Sequence, residues 1–314
     1  MATSGIDKSG GEGRIRNAIL IAGPTASGKS RLALELAETL GGTVVNADSM
    51  QVYSVLDVLT ARPSAEEMRR APHLLYGHVV PDTAYSTGAW MRDVVSLADN
   101  GKLSDGPPIF VGGTGLYFRA LEEGISEMPD IPKAIRERWR YELAERGADK
   151  LHRILMREDP EVAMTLRAGD GQRIVRALEV LEASGRSILK WQAERGRPLI
   201  DRNSALFFVI EPDRAELVAR IDRRFDGMID AGALEEVKAI AALNLDPQLP
   251  AMKAIGVREL SAALRGETGM GEAIERAKIA TRQYAKRQST WFRHQLGPHW
   301  LRLREPDVSQ ILTP

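Results

Sequence analysis

The 314-residue chain contains no cysteine. That absence excludes disulfides, thiolate metal sites and a thiol nucleophile. Histidine is scarce, and the five present form no H-x-x-x-H pair. Neither sign of charge dominates, because 43 lysines and arginines face 43 acidic residues. No global basic field announces nucleic acid, so any such surface must be a local patch. No apolar run approaches membrane-spanning length, and residues 19–23 are too short and too late for a signal peptide. A cytoplasmic protein with no membrane partner is expected. Internal repeats and long low-complexity runs are also absent.

What is present is a 43% hydrophobic composition, enough for a substantial core, and one organising stretch. Gly23-Pro24-Thr25-Ala26-Ser27-Gly28-Lys29-Ser30 reads G-x-x-x-x-G-K-[ST], a phosphate-cradling loop. Ala18-Ile19-Leu20-Ile21 before it reads as a buried strand. Leu32, Leu36 and Leu40 after it recur on one face of a helix. Strand, glycine loop and helix together aim backbone N–H groups and a helix N-terminus at an anion. Lys29 would reach the phosphates and Ser30 would hold Mg2+. The motif says polyphosphate without saying which reaction.

Residues Met1 to Asn17, rich in Gly, Ser and charge, predict a disordered N-terminus. Thr43–Asn46, His78–Val80, Pro108–Val111, Ala205–Ile210 and Trp300–Leu303 read as further strands. Ala65–Arg70, Thr87–Leu97, Leu116–Leu121 and Gly271–Gln295 read as helices. This alternation predicts an α/β fold, a P-loop NTPase-like parallel sheet flanked by helices, over residues 18–128 and 203–314. Residues 129–202 show helical spacing and no convincing strand, and basic residues outnumber acidic ones there. They predict an all-helical insertion domain.

Asp48 follows the second strand. As a carboxylate beside the phosphate loop it would accept a proton or orient Mg2+; as a plain structural residue it would cap a turn. Gly112-Gly113-Thr114-Gly115 stands where many phosphate-loop ATPases carry a metal-binding aspartate, which argues against ordinary ATP hydrolysis. Arg276 to His294 contains six lysines and arginines, interleaved aromatics and no acidic residue, a pattern that suits a polyanion. Lys253 to Arg258, and Gln172 with Arg173 and Arg176, are weaker candidates that solvated helix surfaces would equally explain.

With these residues in view the chain resembles the tRNA dimethylallyltransferases. The likeness runs from Ala18 to about Leu303. It is carried by 23–30, Asn-Ala-Asp-Ser-Met-Gln-Val-Tyr (46–53), Thr-Ala-Arg-Pro-Ser (60–64) and Val-Gly-Gly-Thr-Gly-Leu-Tyr-Phe (111–118). Gln-Arg-Ile-Val-Arg-Ala-Leu-Glu-Val (172–180), Arg-Phe-Asp-Gly-Met (224–228), Lys-Ala-Ile-Gly-Val-Arg-Glu-Leu (253–260) and 281–293 complete it. The resemblance implies transfer of a dimethylallyl group from dimethylallyl diphosphate to N6 of adenosine 37, next to the anticodon, in tRNAs reading codons that begin with U. It implies that Gly23 to Ser30 bind the diphosphate, with Mg2+ at Ser30. It makes Asp48, Thr114 and Arg224 the catalytic set: base, adenosine contact and diphosphate clamp. It places the tRNA anticodon stem-loop against Asp48, Ser49, Met50, Gln51, Thr114, Arg136, Gln172, Arg173, Ile174, Val175 and Arg176. Lys253, Gly256, Arg258, Lys286, Arg287, Gln288, Trp291 and Arg293 would continue that surface. A monomer is expected. The chain departs from the family pattern at Leu59, Leu74-Leu75-Tyr76-Gly77 and Val257. Two rivals stay open on the residues alone: a phosphate-loop small-molecule kinase, and a non-catalytic RNA-binding nucleotide switch.

Overall fold

The computed structural model describes residues 15–312 except 195, so the expectation for Met1 to Arg14 lies outside the described residues. In chain order the elements begin β1 (Ile19–Ala22), α1 (Lys29–Leu40), β2 (Thr43–Asn46), α2 (Ala65–Arg70), β3 (His73–Leu74), α3 (Thr87–Asp99), β4 (Pro108–Gly112) and α4 (Gly115–Glu123). Five helices follow: α5 (Lys133–Arg146), α6 (Ala148–Glu158), α7 (Pro160–Thr165), α8 (Gly171–Ser184) and α9 (Ile188–Ala193). The chain then returns through β5 (Leu206–Ile210), α10 (Arg214–Asp230), α11 (Ala233–Ala242), α12 (Val257–Leu264), α13 (Met270–Gln295), β6 (Leu301–Leu303) and α14 (Ser309–Leu312).

The six strands form one parallel sheet in the order β3-β2-β4-β1-β5-β6. β1, β2 and β4 are buried along their whole length. Helices cover both faces of such a sheet, and its strands therefore read as unbroken apolar runs. Ile19, Ile21, Val44, Ile109, Val111, Phe208 and Ile210 pack with Leu32 and Leu36 of α1. The alternate residue Phe110 meets Trp90 of α3 edge-on, with ring centroids 6.4 Å apart. Burial of each such leucine contributes about 1.5–3 kcal/mol.

The order of β2, β4 and β1 matters most for function. Ile21 lies level with Val111, and Asn46 also lies level with Val111. Three loops, after β1, β2 and β4, therefore leave the same edge of the sheet side by side. Ligands bind at such carboxyl ends, where the winding of the sheet reverses.

Contacts divide the chain into two compact units: residues up to Glu122 with those from Leu199, and Glu123–Pro198. In the second unit α5, α6 and α8 pack around Leu151, Leu155, Ile174, Val175 and Leu178. In the first, the chain returns through hydrogen bonds from Leu199 and Ile200 N–H to the Leu121 carbonyl. The observed division thus starts and ends a few residues earlier than the composition change at 129–202.

Two expectations need correcting. Ile15 to Asn17 are not a disordered tail: Ile15 is 4% exposed and bridges Ile200. His78–Val80 is not a strand, since Val79 makes a single bridge with Tyr53. The edge strand is instead His73–Leu74 beside β2, ended by Leu75 at φ 62°. The departing segment 74–77 has a use here, because the Leu75 carbonyl accepts from Asn46 Nδ2 at 3.0 Å.

Trp90 ties the core to the loop after β2. Its ring is fully buried and stacked on Tyr117 at 4.2 Å, and its indole N–H donates to the Asn46 carbonyl at 2.9 Å. Trp90→Ala is expected to lower unfolding free energy by about 3–5 kcal/mol, read from urea denaturation. A cost below about 1 kcal/mol would mean that the neighbours collapse into the space.

Candidate active site

The phosphate loop runs between β1 and α1 with two residues in the left-handed region. Gly28 at φ 90° tolerates this freely, while Ala26 is held there at φ 63°, a conformation that costs a residue with a Cβ. The Ser27 hydroxyl is fully buried and has no hydrogen-bond partner among the described residues. An unpaired buried hydroxyl costs on the order of 1–3 kcal/mol, so it stands ready for a polar ligand. Ser30 is exposed.

Two cations stand at the loop. Lys29 Nζ donates to the Pro24 carbonyl at 3.1 Å. Burial drives its pKa down to about 8, against the pull of the Asp48 charge and with help from Arg224. Arg224, on α10, donates through Nη2 to Thr25 Oγ1. Burial lowers its pKa as well, and Asp48 opposes this. A guanidinium nonetheless stays charged. α10 places it by burying Leu217, Ile221, Phe225 and Met228 on one face.

Asp48 stands at the head of a tight turn. Its N–H donates to Asn46 Oδ1 at 2.8 Å, and Asn46 Nδ2 donates back to the Asp48 carbonyl at 3.0 Å. Asp48 Oδ1 accepts from Met50 N–H at 3.0 Å. The other carboxylate oxygen, Oδ2, accepts no hydrogen bond from the described residues, and lies 3.1 Å from where a Cβ on Gly113 would stand. Asp48 thus caps the turn with one carboxylate oxygen and leaves the other without a hydrogen bond from the described residues.

The turn after β4 closes the site. A Cβ on Gly112 would stand 2.0 Å from the Ala47 carbonyl oxygen, and one on Gly115 would stand 2.1 Å from the Trp291 ring. Thr114 Oγ1 accepts from Ser49 N–H at 2.9 Å and donates to Ser49 Oγ at 3.2 Å. Its hydroxyl joins the two turns.

Several residues assigned to RNA are engaged internally. Ile174 and Val175 are 0% and 6% exposed in the helical core, so their side chains face no ligand. Gly256 is buried at φ 98°, and a Cβ there would meet Leu59 Cδ2 at 2.8 Å; its role is close packing. Gln51 Nε2 donates to the Thr60 and Ala61 carbonyls, both at 2.9 Å. Met50 packs against the cluster around Val52 and Val257. Trp291 is partly buried against Gly115. Gln288 is 5% exposed and bonded on both sides within the site.

The acid-free stretch of α13 divides in two. Arg276 pairs with Glu272 at 2.5 Å, Lys278 with Asp226 at 2.6 Å, and Arg282 with Asp222 at 2.7 Å. These cations are neutralised by carboxylates from α10 and from the preceding turn. Lys286, Arg287 and Arg293 are exposed, with no carboxylate partner among the described residues. Lys253 and Arg258 are also exposed, as are Arg136, Gln172 and Arg173 on the helical unit. Arg173 pairs with Asp170 at 3.3 Å and Arg176 with Glu179 at 3.6 Å.

The sequence reading missed Tyr76, Tyr117 and Tyr284. Burial raises all three phenol pKa values, and the Asp48 charge raises them further, so the three phenols stay neutral. They come from three separate segments, and no spacing announces them.

Comparison with known proteins gives a consistent result. Residues 51–295 match the family model described as IPP transferase, and residues 16–76 match the one described as Isopentenyl transferase. The chain is 73% identical over 307 residues to a tRNA dimethylallyltransferase of Mesorhizobium japonicum, covering 97% of this chain and 95% of that one. It is 60% identical to that of a Chelativorans species, covering 91% and 98%. Among solved structures it resembles a tRNA isopentenylpyrophosphate transferase of Bacillus halodurans at TM-score 0.60 and 30% identity, covering 91% and 89%. It also resembles a eukaryotic dimethylallyltransferase acting on tRNA at TM-score 0.75 and 29% identity, covering 93% and 75%. Among the described residues no helix is long and apolar enough to cross a membrane.

An anion in the loop restores the charged form of Lys29. Inorganic diphosphate binding is therefore expected to take up protons above pH 8, and to weaken as pH rises through about 8. Calorimetry in buffers of different ionisation enthalpy measures this. Lys29→Arg should bind without the Lys29 proton uptake, and equal uptake in both proteins would sink the assignment.

Proposed function

The chain belongs to the IPP transferase family and shares its tRNA dimethylallyltransferase activity; from that premise we propose how its residues act and on which base. The acceptor is N6 of adenosine 37 in the anticodon stem-loop of tRNAs reading codons that begin with U, and the product is N6-(dimethylallyl)adenosine. One observation carries the reading. A carboxylate oxygen, Asp48 Oδ2, is left without a hydrogen bond beside the turn that follows β4, close enough to the phosphate-loop cations to pull their pKa values up. That pairs a proton acceptor with an anion site, which a group transfer from a diphosphate needs.

In this reading the bond between C1 of the dimethylallyl group and the diphosphate oxygen breaks, and C1 bonds to N6. The electron pair leaves with diphosphate, whose growing charge Lys29, Arg224 and the loop N–H groups stabilise. The N6 proton passes to Asp48 Oδ2. Mg2+ suits the donor set. No group of three or more His, Cys, Asp or Glu gathers among the described residues. The hard oxygens at the loop are hydroxyls, of which Ser30 would hold the ion. Mg2+ binds in this manner, through few protein ligands and the substrate phosphates, and would neutralise leaving-group charge. Gly112 to Gly115, in place of a metal-binding aspartate after β4, weighs against the kinase reading.

In this proposal RNA meets Lys253, Arg258, Lys286, Arg287 and Arg293 on the sheet unit, and Arg136, Gln172 and Arg173 are separate RNA contacts on the helical unit. The target base must be out of its stack for its N6 to meet C1 of the donor in line, and a single-stranded loop permits that. The enzyme acts as a monomer in the cytoplasm.

Mass analysis of an anticodon stem-loop RNA, incubated with protein, Mg2+ and dimethylallyl diphosphate, tests the reaction. A gain of one C5H8 unit on the adenine beside the anticodon is expected. A phosphorylated product with ATP, and no gain with the prenyl donor, would favour a kinase. Asp48→Ala should lose about 100-fold or more in turnover while still binding RNA, and unchanged turnover would remove Asp48 as the base. The two halves of α13 should also separate. Lys286→Ala or Arg293→Ala should weaken RNA binding and flatten log Kd against log salt by about 0.7–0.9 per lost phosphate contact. Arg276→Ala should leave that slope alone, and equal slopes in all three variants would exclude phosphate contacts on this helix.

A further inference from the structure

Gln288 lies on α13 between exposed cations, yet its side chain turns inward. Its Oε1 accepts from Thr25 N–H at 2.9 Å, and its Nε2 donates to the Gly113 carbonyl at 2.9 Å. One carboxamide thus connects the loop after β1 to the turn after β4. Those strands are neighbours, but their loops otherwise touch weakly: Gly23 N–H meets the Gly112 carbonyl at 3.3 Å. Space for the amide exists because residue 113 has no side chain, since a Cβ there would stand 2.1 Å from Nε2.

We propose that Gln288 is a positioning residue for the transfer, holding the diphosphate loop and the Asp48 side of the site at a fixed separation before either substrate arrives. The proposal rests on the reading of this site as a prenyl transferase. Three observations support it. Thr25 is secured from two helices, by Gln288 at its N–H and by Arg224 at its hydroxyl, two residues from the unpaired Ser27 hydroxyl. The bridge needs an acceptor and a donor on one side chain of this length, which a carboxamide supplies at every pH and a carboxyl only while protonated. The helix that carries it is a rigid support: ion pairs anchor its first half to α10, and Trp291, one turn on, abuts Gly115. Reacting atoms must be placed within a fraction of an ångström, and small displacements cost large factors in rate.

Gln288→Met removes both bonds at nearly constant volume. It should weaken inorganic diphosphate binding and raise KM for dimethylallyl diphosphate, each by about tenfold or more, with RNA affinity unchanged. Gln288→Glu supplies a second readout. A protonated carboxyl reproduces the amide, donating to Gly113 and accepting from Thr25. A carboxylate sets a second acceptor against the Gly113 carbonyl. The charged groups facing this position are Asp48, Lys29 and Arg224, with Tyr284 one turn earlier on the helix. They are present in both proteins, so the wild-type profile is the reference against which the Gln288→Glu ratio of kcat/KM is read. That ratio should fall as pH rises from 6 to 9. A flat ratio, or a Gln288→Met protein that binds diphosphate like wild type, overturns the proposal. Denaturation midpoints identify a variant that has merely unfolded, and the other variant then decides. A wild-type protein that binds diphosphate but transfers nothing would overturn the prenyl-transfer reading instead, while the bridge would still be judged on diphosphate affinity.

Discussion

The site depends on how closely two turns approach each other. A Cβ on Gly112 would stand 2.0 Å from the Ala47 carbonyl oxygen, so any side chain there would push the β4 turn away from the Asp48 turn. With no side chain in the way, Thr114 N–H reaches the Ala47 carbonyl at 3.2 Å and its hydroxyl reaches Ser49. Gly113 leaves room for the Gln288 amide and Gly115 for the Trp291 ring. Sheet order supplies the rest. β4 lies between β2 and β1, so a turn that touches both neighbours must sit on the middle strand. The glycines are therefore the condition for a carboxylate and a phosphate loop to share one pocket.

Charge gives that pocket its direction. Taking Lys29 and Arg224 out of water is unfavourable, and the one carboxylate nearby offsets it only in part, as their lowered pKa values indicate. The unpaired Ser27 hydroxyl adds to the cost. In the proposed reading a diphosphate in the loop would relieve both, since it would bring negative charge to the cations and acceptors to the hydroxyl.

Much of this was legible in the sequence, and the limit has a physical form. The phosphate loop, the Asp48 turn and the glycine turn are each contiguous, and each follows an apolar run, so strand, loop and chemistry can be read together. The parallel sheet follows from the same alternation. What could not be read is where a side chain ends up once separate segments meet. Gln288 and Lys286 stand two residues apart on one helix, which places them on different faces, and only packing shows which face is covered. Ile174 and Val175 sit inside a motif that matches a family pattern for reasons of both core and surface. Tyr76, Tyr117 and Tyr284, which all feel the Asp48 charge, come from distant positions, and the short strand His73–Leu74 is too brief to leave a periodic trace.

Helix α13 shows how one element can serve three ends without conflict. Its first half is neutralised by carboxylates of α10, which fixes the helix to the core. Its buried face carries Gln288 and Phe292 inward. Its last turns keep Lys286, Arg287 and Arg293 in water, where a polyanion would meet them. In a net-neutral chain an acid-free stretch is informative only after the acids of neighbouring elements have been counted. Here that count removes Arg276, Lys278 and Arg282 and leaves the cations nearest Gln288. Two of the cations that would meet RNA, Lys286 and Arg287, thus directly precede Gln288 on one helix, so in the proposed reading an RNA docked there would be held in register with the loops assigned to the transfer.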